Sequence, residues 1–135
     1  MKKFTLMDYV LFNGIPKEDM EMLLACIGAK IKFYKEKDDL TELLQNRQYC
    51  FLLLSGRIRM TMPNGNVRLL KENSFFGSVV FSEIVPEAAK SATYQAETLV
   101  TIIVMDHEGI ANPCWLSCFF HNRLRENAER LYWQD

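Results

Sequence analysis

The 135-residue sequence has no long hydrophobic run. Nothing in it approaches the ~18 consecutive apolar residues that a membrane span requires. The longest apolar pieces, Phe51 to Leu54 and Leu99 to Met105 (interrupted by Thr101), have the length of buried strands. Neither sign of charge is in surplus: 16 Lys+Arg face 17 Asp+Glu, a net charge of −1. That balance argues against a general nucleic-acid binder, which carries a basic excess to neutralise phosphates. The four cysteines, Cys26, Cys50, Cys114 and Cys118, form no C-x-x-C pair and no dense framework, so reduced thiols and a cytoplasmic setting are expected. The basic start, Met-Lys-Lys-Phe-Thr-Leu, lacks an apolar run and a small-residue cleavage site and does not read as a signal peptide. There is no internal repeat and no linker, so one domain is expected. With 49% hydrophobic and 12% aromatic residues, that domain has ample material for a core.

Local periodicity divides the chain into three parts. Asp8 to Phe12 reads as a short helix stopped by Asn13-Gly14. Pro16 suits a first helical position, and Glu18 and Asp19 favour the positive end of the helix dipole. Met20, Leu23, Leu24 and Ile27 recur at helical spacing, and Gly28 closes that helix. From Ala29 the period becomes two. Strands are expected at Ala29 to Tyr34, Tyr49 to Leu54, Arg57 to Met62, Val67 to Leu70, Ala92 to Ala96 and Leu99 to Met105. Pro63-Asn64-Gly65-Asn66 is a hairpin signal, because Asn and Gly tolerate positive φ. Arg57, Arg59 and Arg68 are expected together on one outer, solvated face of that hairpin. Asn112 and Pro113 then form a helix start. Along that helix Glu126 and Arg130 are spaced to pair across its exposed side.

This order resembles the sensor domain of the Crp/Fnr family of bacterial transcription regulators, a cyclic-nucleotide-binding-like jelly roll. Leu11-Phe12-Asn13-Gly14-Ile15 is similar to the family's opening segment, and Leu54-Ser55-Gly56-Arg57-Ile58-Arg59 to its "LSG" strand turn. Phe76-Gly77 sits where the family begins its phosphate-binding cassette. Cys118 to Leu124 resembles the helix start of many regulators from anaerobic Gram-positive bacteria. The resemblance implies a mainly β fold with flanking helices: an antiparallel double-stranded β-roll (jelly roll) followed by a long C-terminal dimerisation helix. It divides the chain into a roll with N-terminal helices over residues 1–111 and the start of the dimerisation helix over 112–135. The helix-turn-helix domain through which such regulators bind DNA is expected to lie outside this chain, which then reads as the sensor half of a switch.

The same resemblance implies a ligand site at Phe76, Gly77, Ser78, Val79, Lys90, Ser91 and Ala92. Nucleotide-binding members place an acidic residue directly after the cassette glycine, to hold the ribose, and an arginine further on to grip the phosphate. Here those positions hold Ser78 and Lys90. A serine supplies no charged acceptor, and a lysine is a point charge without a planar fork. Cyclic AMP is therefore not the expected ligand; a different anion, or no small ligand at all, stays open. The family also places glycines at two turns between Tyr34 and Tyr49, where this chain has Lys35-Glu36-Lys37-Asp38 and Leu43-Leu44-Gln45-Asn46. Any left-handed position there must fall to Asp or Asn, or the loop must be built differently.

Cys114, Cys118, His121, Leu124, Ala128 and Leu131 lie on one helical stripe, the expected seam of a homodimer. Cys114, Cys118 and His121 could also hold zinc or haem iron, but no fourth ligand is visible and packing is the default. No metal or other cofactor is expected. Catalysis is not expected either: His107 and His121 lie outside the strands, unlike the clustered histidines of metal-dependent cupins, and no Ser-His-Asp order or Walker loop is present. The sequence thus reads as a cytoplasmic effector-sensing and dimerisation domain, with a ligand-free structural or protein-interaction module of the same fold as the alternative.

Overall fold

The computed structural model describes residues 9–46, 48–77, 91–111 and 119–131. A 3₁₀ turn at Val10–Phe12 replaces the helix expected over Asp8 to Phe12. Helix α1 spans Lys17–Cys26, with Pro16 as its N-cap and Glu18 and Asp19 in its first turn. Met20, Leu23 and Ile27 are buried as their spacing predicts, and Gly28 takes the left-handed conformation that ends the helix.

Seven strands follow among the described residues: β1 (Lys30–Tyr34), β2 (Tyr49–Ser55), β3 (Ile58–Thr61), β4 (Val67–Leu70), β5 (Phe75–Phe76), β6 (Thr93–Ala96) and β7 (Val100–Asp106). They form two antiparallel sheets, in the orders β1-β7-β2-β5 and β4-β3-β6. The expected strands are present to within a few residues. The two-residue β5 is an addition that periodicity could not signal, because two residues establish no period. β2 and β7, the two inner strands of the larger sheet, are buried along almost their whole length. Both faces of each are covered, hence their unbroken apolar runs. Opposite Ile102 and Thr101 the β2 register slips by one residue at Leu54. This bulge leaves the Leu54 carbonyl to accept a hydrogen bond from the buried Tyr9 hydroxyl at 2.8 Å.

Among the described residues three more helices follow. α2 (Thr41–Leu44) and α3 (His107–Ala111) are single turns, too short for a helical stripe to declare itself. α4 is Phe119–Leu131, 13 residues, or roughly 20 Å. A long dimerisation helix is not shown among the described residues. The expected start at Asn112-Pro113 lies outside the described residues. α4 packs on the 3₁₀ turn, α1 and α3, and one apolar core joins the helices to both sheets. No helix among the described residues is long and apolar enough to cross a membrane.

Between β1 and α2 the left-handed position falls to Lys37, at φ 75°, and not to Asp or Asn. Its N–H donates to the Ala96 carbonyl at 2.7 Å, so pairing with β6 holds the turn and overrides residue preference.

Candidate ligand-binding site

The small sheet presents an inner and an outer face, and strand register assigns each side chain to one of them. The turn Met62–Asn66 closes with Met62 N–H to the Asn66 carbonyl and Gly65 N–H to the Met62 carbonyl. It sets Thr61 opposite Val67, Met60 opposite Arg68 and Ile58 opposite Leu70. On the other side Met60 faces Tyr94 and Ile58 faces Ala96. Directly opposed residues share a face. Ile58, Met60, Leu70, Tyr94 and Ala96 are all buried, so they mark the inner face, and Arg68 stands among them.

This corrects the expected grouping of the three arginines. Arg59 opposes Leu69 and Gln95 on the outer face. There Arg57 and Arg59 flank Glu97, with N–O distances of 3.7 and 3.2 Å and both arginine side chains half exposed, a solvated arrangement worth little. Arg68 is one register step away and turns inward. Alternation within each strand could be read from sequence, but relative parity depends on how many residues the turn consumes.

Burial raises the pKa of the Tyr94 phenol, and the Arg68 cation pulls it down. The guanidinium is therefore close enough to act electrostatically on the floor of the inner face. Arg68 also lines a cavity of about 460 Å³ along β4, bounded by Leu70, Lys71, Glu72, Asn73, Ser74, Val10 and Leu131 among others. The wall is tied together: Val10 N–H donates to Asn73 Oδ1 at 3.2 Å and Lys71 N–H to Ser74 Oγ at 3.1 Å. Asn73 holds a left-handed φ of 77°, which asparagine tolerates.

The expected ligand residues meet different fates. Phe76 is buried, its ring centroid 5.7 Å from that of Phe51. Gly77 is buried too, but β2 explains its lack of a side chain: a Cβ there would lie 3.2 Å from the Tyr49 carbonyl oxygen and 3.3 Å from Cys50 Cα. Ala92 is buried and its carbonyl accepts from Gln45 Nε2 at 2.6 Å, whereas Ser91 is exposed. Ser78, Val79 and Lys90 lie outside the described residues. At the "LSG" turn, Gly56 has φ 91° and a Cβ there would strike the Leu99 carbonyl oxygen, so glycine is required on two counts.

Of the expected dimer stripe, Leu124 and Ala128 are buried in the core of the single chain. Leu131 packs partly buried against that core. Cys114 and Cys118 lie outside the described residues, as does the His121 side chain. The exposed side of α4 is charged: Arg125 pairs with Glu129 at 3.4 Å. Arg130, expected to pair with Glu126, gives its guanidinium to Asn127 Oδ1 at 2.9 Å. Asn127 was not anticipated at all. It is 2% exposed and its amide donates to the carbonyls of Leu11 at 3.0 Å and Asn13 at 2.8 Å. A polar residue interrupting an apolar stripe was the available signal.

Among the described residues no group of three or more His, Cys, Asp or Glu side chains gathers to hold a metal. Burial, with Asp106 nearby, pushes the Cys50 thiol well above the ordinary range, which keeps it protonated and unreactive.

With this geometry, a solved structure of a CooA double mutant from Carboxydothermus hydrogenoformans superposes over 97% of this chain and 80% of its own, at a TM-score of 0.60 and 20% identity. The fold is the β-roll of cyclic-nucleotide-binding-type domains. The catabolite activator protein of Thermus thermophilus matches 90% of the chain at TM-score 0.58 and 21% identity, and this chain spans only 55% of its length. The sensor domain of the transcriptional regulator DNR from Pseudomonas aeruginosa matches 77% of the chain and 73% of its own, at TM-score 0.53 and 16% identity. No protein-family model and no curated protein matches the sequence. At these identities the likeness establishes the β-roll alone, and function has to be argued from the site.

Proposed function

We propose that this chain is the effector-sensing domain of a Crp/Fnr-type transcription regulator, responding to a small ligand other than cyclic AMP. The observation that carries the reading is the hydrogen-bonded link between the roll and α4. Asn73, in the turn after β4, holds the 3₁₀ turn through Val10 N–H, and Asn127 on α4 holds the same segment through the Leu11 and Asn13 carbonyls. Occupancy of the roll that moved the Asn73 turn would be felt at α4. That is the layout of a two-state element biased by ligand. Likeness to the DNR sensor domain and to CooA supports it, and DNA reading would belong to a domain beyond these residues.

Within the same proposal Ser78 and Lys90 contribute to the ligand site, and Cys114, Cys118, His121 and Leu131 to a homodimer contact. The test is a thermal-shift screen of nucleotides and small organic anions against the wild-type chain and Lys90→Met. An anion that raises Tm in wild type and less in Lys90→Met, with cyclic AMP inactive, is expected. A flat screen would instead favour a ligand-free interaction module. The filling of the inner face by Met60 and Tyr94 gives that alternative its best support.

A further inference from the structure

Strand β1 is the outermost strand of the larger sheet, and among the described residues its only strand partner is β7. Its other edge presents backbone donors and acceptors with no described strand beside them. The side chains of β1 alternate. Ile31 and Phe33 share the face of Ile103 and Thr101, and Lys30 and Lys32 share the face of Val104 and Ile102. On the first face the cover stops at β7. Thr101 and Ile103 are buried, whereas Ile31 is 47% exposed and Phe33 62%. Leu99, the residue before β7, is 68% exposed at the end where Tyr34 opposes Val100. Single exposed apolar residues are ordinary, but three at one corner of a sheet mark an interaction surface. Lys30 and Lys32 are exposed and make no ion pair with the described residues.

We propose that the free edge of β1 takes up an extended segment of another protein in which acidic and apolar residues alternate. Backbone pairing with β1 would hold the segment. Its apolar residues would cover Ile31 and Phe33, and its carboxylates would meet Lys30 and Lys32 on the opposite face, since directly opposed residues share a face at every second position. A second copy of β1 fits poorly. It would bring lysines to the face that already holds lysines, and lysine on a sheet edge is a common guard against such pairing. The surface is separate from the cavity along β4, and the proposal does not depend on the sensor reading.

The experiment titrates the full chain with end-blocked peptides of alternating Val and Glu. Val-Lys and Val-Gln peptides of the same length are controls, as is a Val-Glu peptide N-methylated on alternate backbone nitrogens, which cannot complete a ladder. Binding is read by calorimetry and by amide hydrogen exchange. The Val-Glu peptide is expected to bind, to protect amides on the free edge of β1, and to bind less well as salt rises. N-methylation should remove most of that binding. The Lys30→Glu, Lys32→Glu double variant should weaken it by about tenfold or more and transfer the preference to the Val-Lys peptide. Phe33→Thr should weaken it by about threefold or more while leaving the salt dependence in place. The unliganded Tm of each variant reports whether it folds. Equal binding of the Val-Glu and Val-Lys peptides, binding without protection of β1, or no binding of the Val-Glu peptide overturns the proposal. So does self-association of the free chain that protects β1, which would make a second copy the occupant.

Discussion

Lys37 carries a strain that its neighbours enforce. Its φ of 75° costs an L-residue about 1–2 kcal/mol, while glycine there would give back about 0.5–1 kcal/mol through its freer unfolded chain. Lys37→Gly should therefore stabilise the domain by about 0.5 kcal/mol or slightly more, read as a higher urea midpoint at unchanged slope. Gly77 behaves in the opposite way. A methyl group there meets β2 backbone, which cannot swing aside, so Gly77→Ala should cost about 1–3 kcal/mol even without ligand. An equal loss of ligand binding with no loss of stability would instead make Gly77 a ligand contact. The two described thiols divide by exposure: Cys26 is exposed and Cys50 buried. Peptide-resolved labelling of the native protein should modify Cys26 promptly and Cys50 only at the rate of unfolding.

Among the elements, α4 is fastened by a polar contact at the centre of an apolar face. Asn127→Leu would keep the volume but strip donors from the Leu11 and Asn13 carbonyls, at a cost of about 2–4 kcal/mol by unfolding titration. Asn127→Asp should be no better, since a carboxylate oxygen would face a carbonyl. Leu124→Glu, which a seam at that position would turn into a clean dimer-breaking change, should instead undermine the fold, because Leu124 is wholly enclosed. A Leu124→Glu chain that stayed as stable as wild type would contradict this packing. Elements with a sustained period, such as α1, or a long apolar run, such as β2 and β7, were legible in the sequence. So was the burial of the Leu124 stripe, but not its partner, because periodicity says that a face is covered and not by what. α2, α3 and β5 are too short to repeat a period, and tertiary hydrogen bonds decide them.

At the scale of the molecule, the order of helix, strands and helix was readable, since each change of period marks a change of element. The candidate site was readable only in part. Its cation stands inside the roll through the parity of the Met62–Asn66 turn, a property of two strands together. The same placement makes a pH dependence testable on the whole fold. Tyr94 is buried and its phenol is held above the ordinary value of 10.0, with Arg68 opposing that rise. Above about pH 10 the unfolded chain releases a phenolic proton that the folded chain retains, so the unfolded state binds fewer protons and stability falls with pH. The contribution is fully present below about pH 10 and is lost as pH rises through the raised folded value. Cys50, raised by burial from 9.0, adds a similar decline that begins about one unit lower. Unfolding titrations at closely spaced pH values should therefore show stability bending downward from about pH 9 and more steeply above 10. Tyr94→Phe should remove the steeper portion, at most about 1.4 kcal/mol per pH unit, and leave the Cys50 portion in place. Arg68→Met should make the Tyr94 decline begin no earlier and run further, because the cation that eases phenol ionisation is gone. A wild-type profile that Tyr94→Phe leaves unchanged would mean the phenol reaches solvent, and with it that the inner face of the small sheet is open where the register closes it.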